Sequence, residues 1–193
     1  LPDLCVDAGS LVNFSFTVTD PDADYVLAQA YGGPFNVTPS ATTTPYNLYV
    51  QTPFQVDFNW QTNCERVRLQ PWTVVFKATD DGGPLNNGVI LSDIESVNIT
   101  VVSPGPATLT AVPAGTTMNV TWSASPCDPV SNRAVGYKIY RRQGASNWMP
   151  VQCETGVPAS TGFVLIATVN GLNNVTYTDN NGGAGLMPGV NYC

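Results

Sequence analysis

The sequence predicts an all-β chain folded as two β-sandwiches in tandem. Three observations carry that prediction. Short runs alternate apolar with polar residues, which is the period of a half-buried strand. Gly, Pro, Asn and Asp clusters punctuate those runs, and no stretch keeps a helical period. Thr, Asn, Gly, Pro and Val are plentiful while Lys and Glu are scarce, a composition that suits strands and turns. The 193 residues suffice for two ordinary domains, and 43% of them are hydrophobic, so each can bury a core.

The first domain is organised around Trp72–Gly83. Trp72, Val74, Phe76 and Ala78 fall on one face of a strand and Thr73, Val75, Lys77 and Thr79 on the other, and the strand runs into Asp80-Asp-Gly-Gly83. In chain order, Cys5 sits in a short opening strand that turns at Ala8-Gly-Ser10. Val12, Phe14, Phe16 and Val18 alternate in the next strand, which ends at Asp20-Pro-Asp-Ala-Asp24. Tyr25 to Tyr31 is a further strand, closed by Gly32-Gly-Pro34. Residues 36–45 are Thr-, Ser- and Pro-rich and predict a loop or a ragged edge strand. Phe54, Val56, Phe58 and Trp60 alternate again. Arg66 to Trp72 leads into the organising strand, with Arg66 and Arg68 on a solvated edge. Gly82-Gly-Pro84 and Asn86-Asn-Gly88 are turn signals, and a last strand runs from Ser96 to Val102. About seven strands and no helix make residues 1–102 a β-sandwich.

Ser103-Pro-Gly-Pro106 is a short, stiff linker, and residues 107–193 form the second sandwich. Its expected strands are Thr108 to Pro113, Met118 to Trp122, Tyr137 to Arg142, Phe163 to Val169 and Thr176 to Asp179. Leu186-Met-Pro-Gly-Val-Asn-Tyr192 is expected to repeat the strand logic of the first domain. An insertion, Gln143 to Thr161, carries Trp148 and Met149, which either form an exposed contact loop or fold back over the sandwich.

Composition and charge exclude several function classes. Charged residues are only 11% of the chain and the net charge is −7, which argues against nucleic acid as a partner. No run of 18 apolar residues exists to span a membrane. There is no histidine, so neither a Ser-His-Asp nor a Cys-His arrangement is available. No Gly-rich loop links a strand to a helix. Asp57 and Glu65 are not marked as a catalytic pair. The expectation is a non-enzyme.

Five cysteines, at 5, 64, 127, 153 and 193, are widely spaced and include no CxxC pair. They predict disulfides in an oxidising compartment rather than zinc. Cys5 and Cys64 are expected at one end of the first sandwich. Cys127 and Cys153 flank the third strand and insertion of the second, so the predicted bonds are Cys5–Cys64 and Cys127–Cys153, leaving Cys193 over. Asn-x-Ser/Thr triplets occur at Asn13, Asn36, Asn98, Asn119 and Asn174.

Asp20, Asp22, Asp24, Asp80 and Asp81 are the candidate metal ligands. Calcium takes about six to eight oxygens, and alternating Asp in a loop supplies them. In a seven-strand sandwich the two loops that hold these residues lie at one end, remote from where the last strand leaves. Asp-Pro and Asp-Gly are also plain turn formers. Calcium is therefore the one cofactor the sequence suggests.

Phe-Ser-Phe-Thr-Val-Thr-Asp-Pro-Asp-Ala-Asp24, Phe-Asn-Trp60-Gln-Thr, Pro-Trp72-Thr-Val-Val-Phe-Lys-Ala-Thr-Asp80 and Val-Asn-Ile-Thr-Val101 occur in that order. Over residues 11–102 they resemble the cadherin-like, immunoglobulin-like modules of bacterial surface proteins. The following Ser-Pro-Gly-Pro departs from the acidic linker through which cadherins hold calcium. Residues 106–193 resemble a fibronectin type III domain: Pro106 at entry, Trp122 in the core, Tyr-x-Ile-Tyr-Arg141, Tyr177-Thr-Asp179 and Leu-x-Pro-Gly-x-x-Tyr192. The resemblance implies a tyrosine corner at Tyr192 and a sixth and seventh strand that the sequence does not reach. It thus predicts a domain incomplete at its C-terminus, with the partner of Cys193 on a later strand.

The pair of modules is similar to large secreted proteins of gliding Bacteroidetes. That similarity implies an extracellular or cell-surface location and export by a type IX system. It implies a stalk or adhesin role, with neighbouring modules, the outer-membrane export machinery and surface glycans or proteins as partners. The other reading is an accessory or binding segment of a secreted, multidomain polysaccharide-degrading enzyme.

Overall fold

A computed structural model describes residues 1–83, 88–127, 135–151, 153–154 and 156–193. The fold is all-β, and its only helical pieces among these residues are short 3-10 turns. The chain divides into two compact units, Leu1–Val102 and Ser103–Cys193.

Unit 1 is two facing sheets. One has five strands in the order β1 (Leu4–Asp7), β8 (Ser92–Val102), β7 (Trp72–Asp80), β3 (Tyr25–Gly32) and β5 (Tyr49–Gln51). The other has three, in the order β2 (Leu11–Val18), β6 (Phe54–Gln61) and β4 (Thr42–Thr44). β1 runs parallel to β8, and every other pair in the unit is antiparallel. The alternation in β7 places Trp72, Val74 and Phe76 inside, where they meet Val97, Ile99 and Val101 of β8 and Phe58 and Trp60 of β6.

Aromatic rings fill the space between the sheets. Phe58 is fully buried; it stacks on Phe14 at 4.9 Å between centroids and meets Phe76 edge-on at 5.9 Å. Trp60 and Trp72 meet edge-on at 5.5 Å. Each indole finds an acceptor, Pro39 O for Trp60 and Arg66 O for Trp72. Such pairs add about 0.5–1.5 kcal/mol each beyond the area they bury.

Several expectations need amendment. The Thr-, Ser- and Pro-rich stretch holds one true strand, β4, and the chain forms another, β5, just after it. β8 starts at Ser92, earlier than expected, because Ser92–Ile94 continue the ladder opposite Lys77–Thr79. Arg66 and Arg68 are not free on an edge. The Arg68 guanidinium lies 3.5 Å from the Trp72 ring centroid and donates to Gln70 O and Pro71 O. Of the turn signals after Asp80, Pro84–Asn87 lie outside the described residues.

Unit 2 has a three-stranded sheet, β13 (Thr176–Asp179), β10 (Thr117–Trp122) and β9 (Leu109–Ala114), and a two-stranded one, β11 (Gly136–Arg141) with β12 (Val164–Asn170). Trp122 is buried against Tyr137, whose hydroxyl donates to Leu172 O and accepts from Ser125 N–H. Arg141 grips both oxygens of buried Asp179 at 2.9 Å.

Leu186–Tyr192 is a turn, not a strand. Pro188 brings no N–H to a ladder and Gly189 takes a positive φ. Pairing begins only at its end, where Arg142 and Cys193 exchange backbone hydrogen bonds and Tyr192 bridges Gln143. The Tyr192 hydroxyl accepts from the Met187 N–H.

Cys5, Cys64, Cys127 and Cys153 are disulfide-bonded and Cys193 is free. The partners differ from those predicted, since neither Cys5–Cys64 nor Cys127–Cys153 is formed. Parallel pairing with β8 puts Cys5 opposite Thr100, so the edge of the larger sheet, and not the turn at Ala8 on which the Cys5–Cys64 prediction rests, sets its place; Cys64 follows β6 of the smaller sheet. Proximity in sequence order did not make a pair of Cys127 and Cys153 either.

Candidate metal centre

The acidic end of unit 1 is built by two strand exits. β2 stops at Val18, and Asp20-Pro-Asp-Ala-Asp24 must turn the chain into β3. Asp20 makes that turn by accepting the Asp22 N–H on its own side chain at 2.8 Å, while its carbonyl accepts the Ala23 N–H. Ala23 takes a positive φ of 58°. The Asp24 carbonyl is pinned by the Thr52 N–H and hydroxyl. The outcome is that carboxylate oxygens of Asp20, Asp22 and Asp24 all lie within 4.8 Å of one another.

The second exit is that of β7. Asp80 is its last residue and is only 4% exposed. Its Oδ1 accepts the Gly82 N–H at 2.8 Å and the Leu91 N–H at 3.3 Å. Its Oδ2 is buried and has no hydrogen-bond partner among the described residues. A buried acceptor left unmade costs about 1–3 kcal/mol, so such an atom calls for an explanation. Asp80 and Asp20 line one small cleft, together with Asp93. Asp81 is tied alongside through its N–H to Tyr25 O. The Asp24 carboxylate lies so close over Gly83 that a side chain there would strike it.

Asp24 records the crowding. Its carboxyl is held above its ordinary value, first by desolvation and then by the charges of Asp81, Asp20, Asp22 and Asp80. A divalent cation would relieve this, and oxygen-rich aspartate clusters suit calcium. Of the five candidate aspartates, Asp20, Asp22 and Asp24 are gathered closely enough to share an ion, while Asp80 and Asp81 stand outside that group and act on Asp24 through their charge.

The cluster also has a definite place. β7 and β8 run antiparallel, with Thr79 opposite Ser92 at the acidic end and Trp72 opposite Ile99 toward the other. The aspartates therefore sit at the end of unit 1 opposite Val102, with the length of β7, roughly 27 Å at 3.4 Å per residue, between Asp80 and Trp72.

The remaining candidate residues lie elsewhere. Trp148 rests its ring on Phe163 at 5.9 Å, while Met149 is 78% exposed. Asp57 accepts hydrogen bonds from Ser15 and Gln55, which hold its carboxyl below the ordinary value, while Glu65 pairs with Arg66. No helix of the described residues is long and apolar enough to cross a membrane.

No family model matches the chain, and no curated protein does. Among solved structures it is similar to the SrpA adhesin from Streptococcus sanguinis, with a TM-score of 0.37 and 12% identity over 63% of this chain and 83% of that one. It is similar to the sialic acid binding region of the Streptococcus sanguinis SK1 adhesin bound to 3'sLn, with a TM-score of 0.39 and 12% identity over 72% and 48%. It is also similar to the E. coli chaperone DraB, with a TM-score of 0.33 and 10% identity over 97% and 85%. The likeness is remote in every case.

Proposed function

We propose that the chain is a non-catalytic stretch of an extracellular surface protein, a stalk or adhesin, whose first sandwich holds calcium at its acidic end. The buried Asp80 Oδ2, without a partner among the described residues, near three gathered carboxylates carries the calcium reading. A cation supplies the contact that oxygen lacks and offsets the mutual repulsion of the aspartates. Calcium at a sandwich end stiffens the joint with whatever module abuts it, and neighbouring modules are the partners this reading names. Four disulfide-bonded cysteines support the extracellular setting. The absence of histidine supports a role without acid–base catalysis. Export by a type IX-like system rests on the resemblance of residues 11–102 and 106–193 to surface proteins of gliding Bacteroidetes.

Calorimetry of the full chain in millimolar calcium, in millimolar magnesium and in chelator is the test. Calcium should raise the unit 1 transition more than magnesium does, because magnesium gives up its waters reluctantly. Terbium luminescence sensitised by nearby Tyr25 should titrate with the same stoichiometry. Superimposable melting curves in calcium and chelator would sink the reading.

A further inference from the structure

Unit 1 has a second opening that calcium does not use. β5 pairs only with Tyr25–Leu27, so Ala28–Gly32 of β3 pair on one side alone, with β7. Residues 33–46 curl past that free edge and leave a cleft of about 620 Å³. Sites that take small ligands span ~300–1,000 Å³. The walls include Tyr31, Tyr46, Asn36, Ser40, Thr42 and Thr43, and no charged residue lines it among the described residues. Tyr31 is 50% exposed and Tyr46 64% exposed.

We propose that this cleft binds a neutral saccharide. A pyranose ring has apolar C–H faces and a rim of hydroxyls. Two tyrosines with open rings offer it apolar surfaces with polar tips. Amide and hydroxyl side chains both donate and accept, which suits sugar hydroxyls of either sense. The polar wall is already set. The Asn36 amide donates to Gly32 O and the Ser40 hydroxyl to Phe35 O, so little side-chain freedom is left to lose on binding.

The cleft floor is equally fixed. Phe35 packs edge-on against core Phe58. Gly32, at φ 134°, lies so close to Thr73 that a Cβ would strike its carbonyl oxygen. The ligand is neutral because the lining offers no cation and the chain carries a net charge of −7. A sialylated, uronic or sulfated sugar would meet repulsion with no ion pair to offset it.

This proposal is independent of the calcium reading, and its test keeps the two apart. Full-length chain from a host that leaves Asn36 unglycosylated is titrated with neutral gluco-, manno-, galacto- and xylo-oligosaccharides, in chelator and again in calcium. Sialyllactose and sulfated oligosaccharides are the charged comparators. At least one neutral series should bind in both buffers. Tyr31→Ala and Tyr46→Ala should each weaken it about tenfold or more with unchanged melting. Tyr31→Phe, which keeps the ring, should weaken it less, and Asp80→Asn should leave it unaltered. Absence of binding to every neutral series, preference for the charged sugars, or wild-type affinity in both alanine variants overturns the proposal.

Discussion

Asp80→Asn should change the stability of unit 1 in opposite directions with and without calcium. The Oδ1 contacts to the Gly82 and Leu91 N–H groups survive in asparagine. What changes is the buried Oδ2, which has no partner among the described residues. Without calcium that atom is a liability of about 1–3 kcal/mol, and an amide donor there would face carboxylates rather than add to them. The variant should therefore be more stable in chelator by about 1–2 kcal/mol, or roughly 5–10 °C for a domain of this size. With calcium a hundredfold above its Kd, the wild type gains about 2.7 kcal/mol by mass action. The variant has lost a ligand charge and gains much less, so the order of melting temperatures reverses. Calorimetry on both proteins in both buffers reads this directly. If asparagine lowers both melting temperatures equally, Asp80 is an ordinary turn residue and the cation argument fails.

Gly32→Ala should abolish the folded unit 1 transition, because positive φ and collision with the Thr73 carbonyl combine; a normal melt would show that the backbone can shift there. Phe58→Ala removes a fully buried ring that touches Phe14, Phe35 and Phe76, and denaturant unfolding should report a loss of about 3–5 kcal/mol. Arg141→Met leaves Asp179 buried without its cation and should destabilise unit 2 by about 3–5 kcal/mol in the same assay, with unit 1 unchanged. The raised Asp24 carboxyl binds its proton more tightly in the folded state, so its contribution is favourable below the ordinary carboxylate value and is lost as pH rises through the raised one. In chelator, the wild type should gain stability relative to Asp24→Asn as pH falls from neutrality into the carboxylate range, since the lowered Asp57 carboxyl contributes equally to both; parallel profiles would count against the crowding.

The strands were legible because each carries its own period. Trp72, Val74 and Phe76 point inward for the same reason they alternate in sequence, and one sheet face needs no knowledge of its partner. What depended on pairing across the fold was not legible. β5 is three residues long, and its alternation is too short to read. The disulfide partners are illegible for a related reason: the neighbours of Cys5 in sequence do not fix its position, which parallel pairing with β8 sets. The turn at Leu186–Tyr192 is written in Pro188 and Gly189, which local sequence alone makes legible.

The two sites divide along the same line. Asp20, Asp22 and Asp24 come together through one local turn, so their spacing alone announced them. The burial of Asp80 needs the Leu91 N–H of a returning strand and could not be read from Asp-Gly, a common turn pair. The saccharide cleft gave no signal at all. Tyr31 looks like a strand residue and Tyr46 like a loop residue, and the polar wall lies in a stretch whose composition reads only as irregular. They form a surface because β5 stops short of Ala28 and leaves an edge for the chain to fold past. A site made by where pairing ends has no period or motif of its own, so only the register of the sheet reveals it.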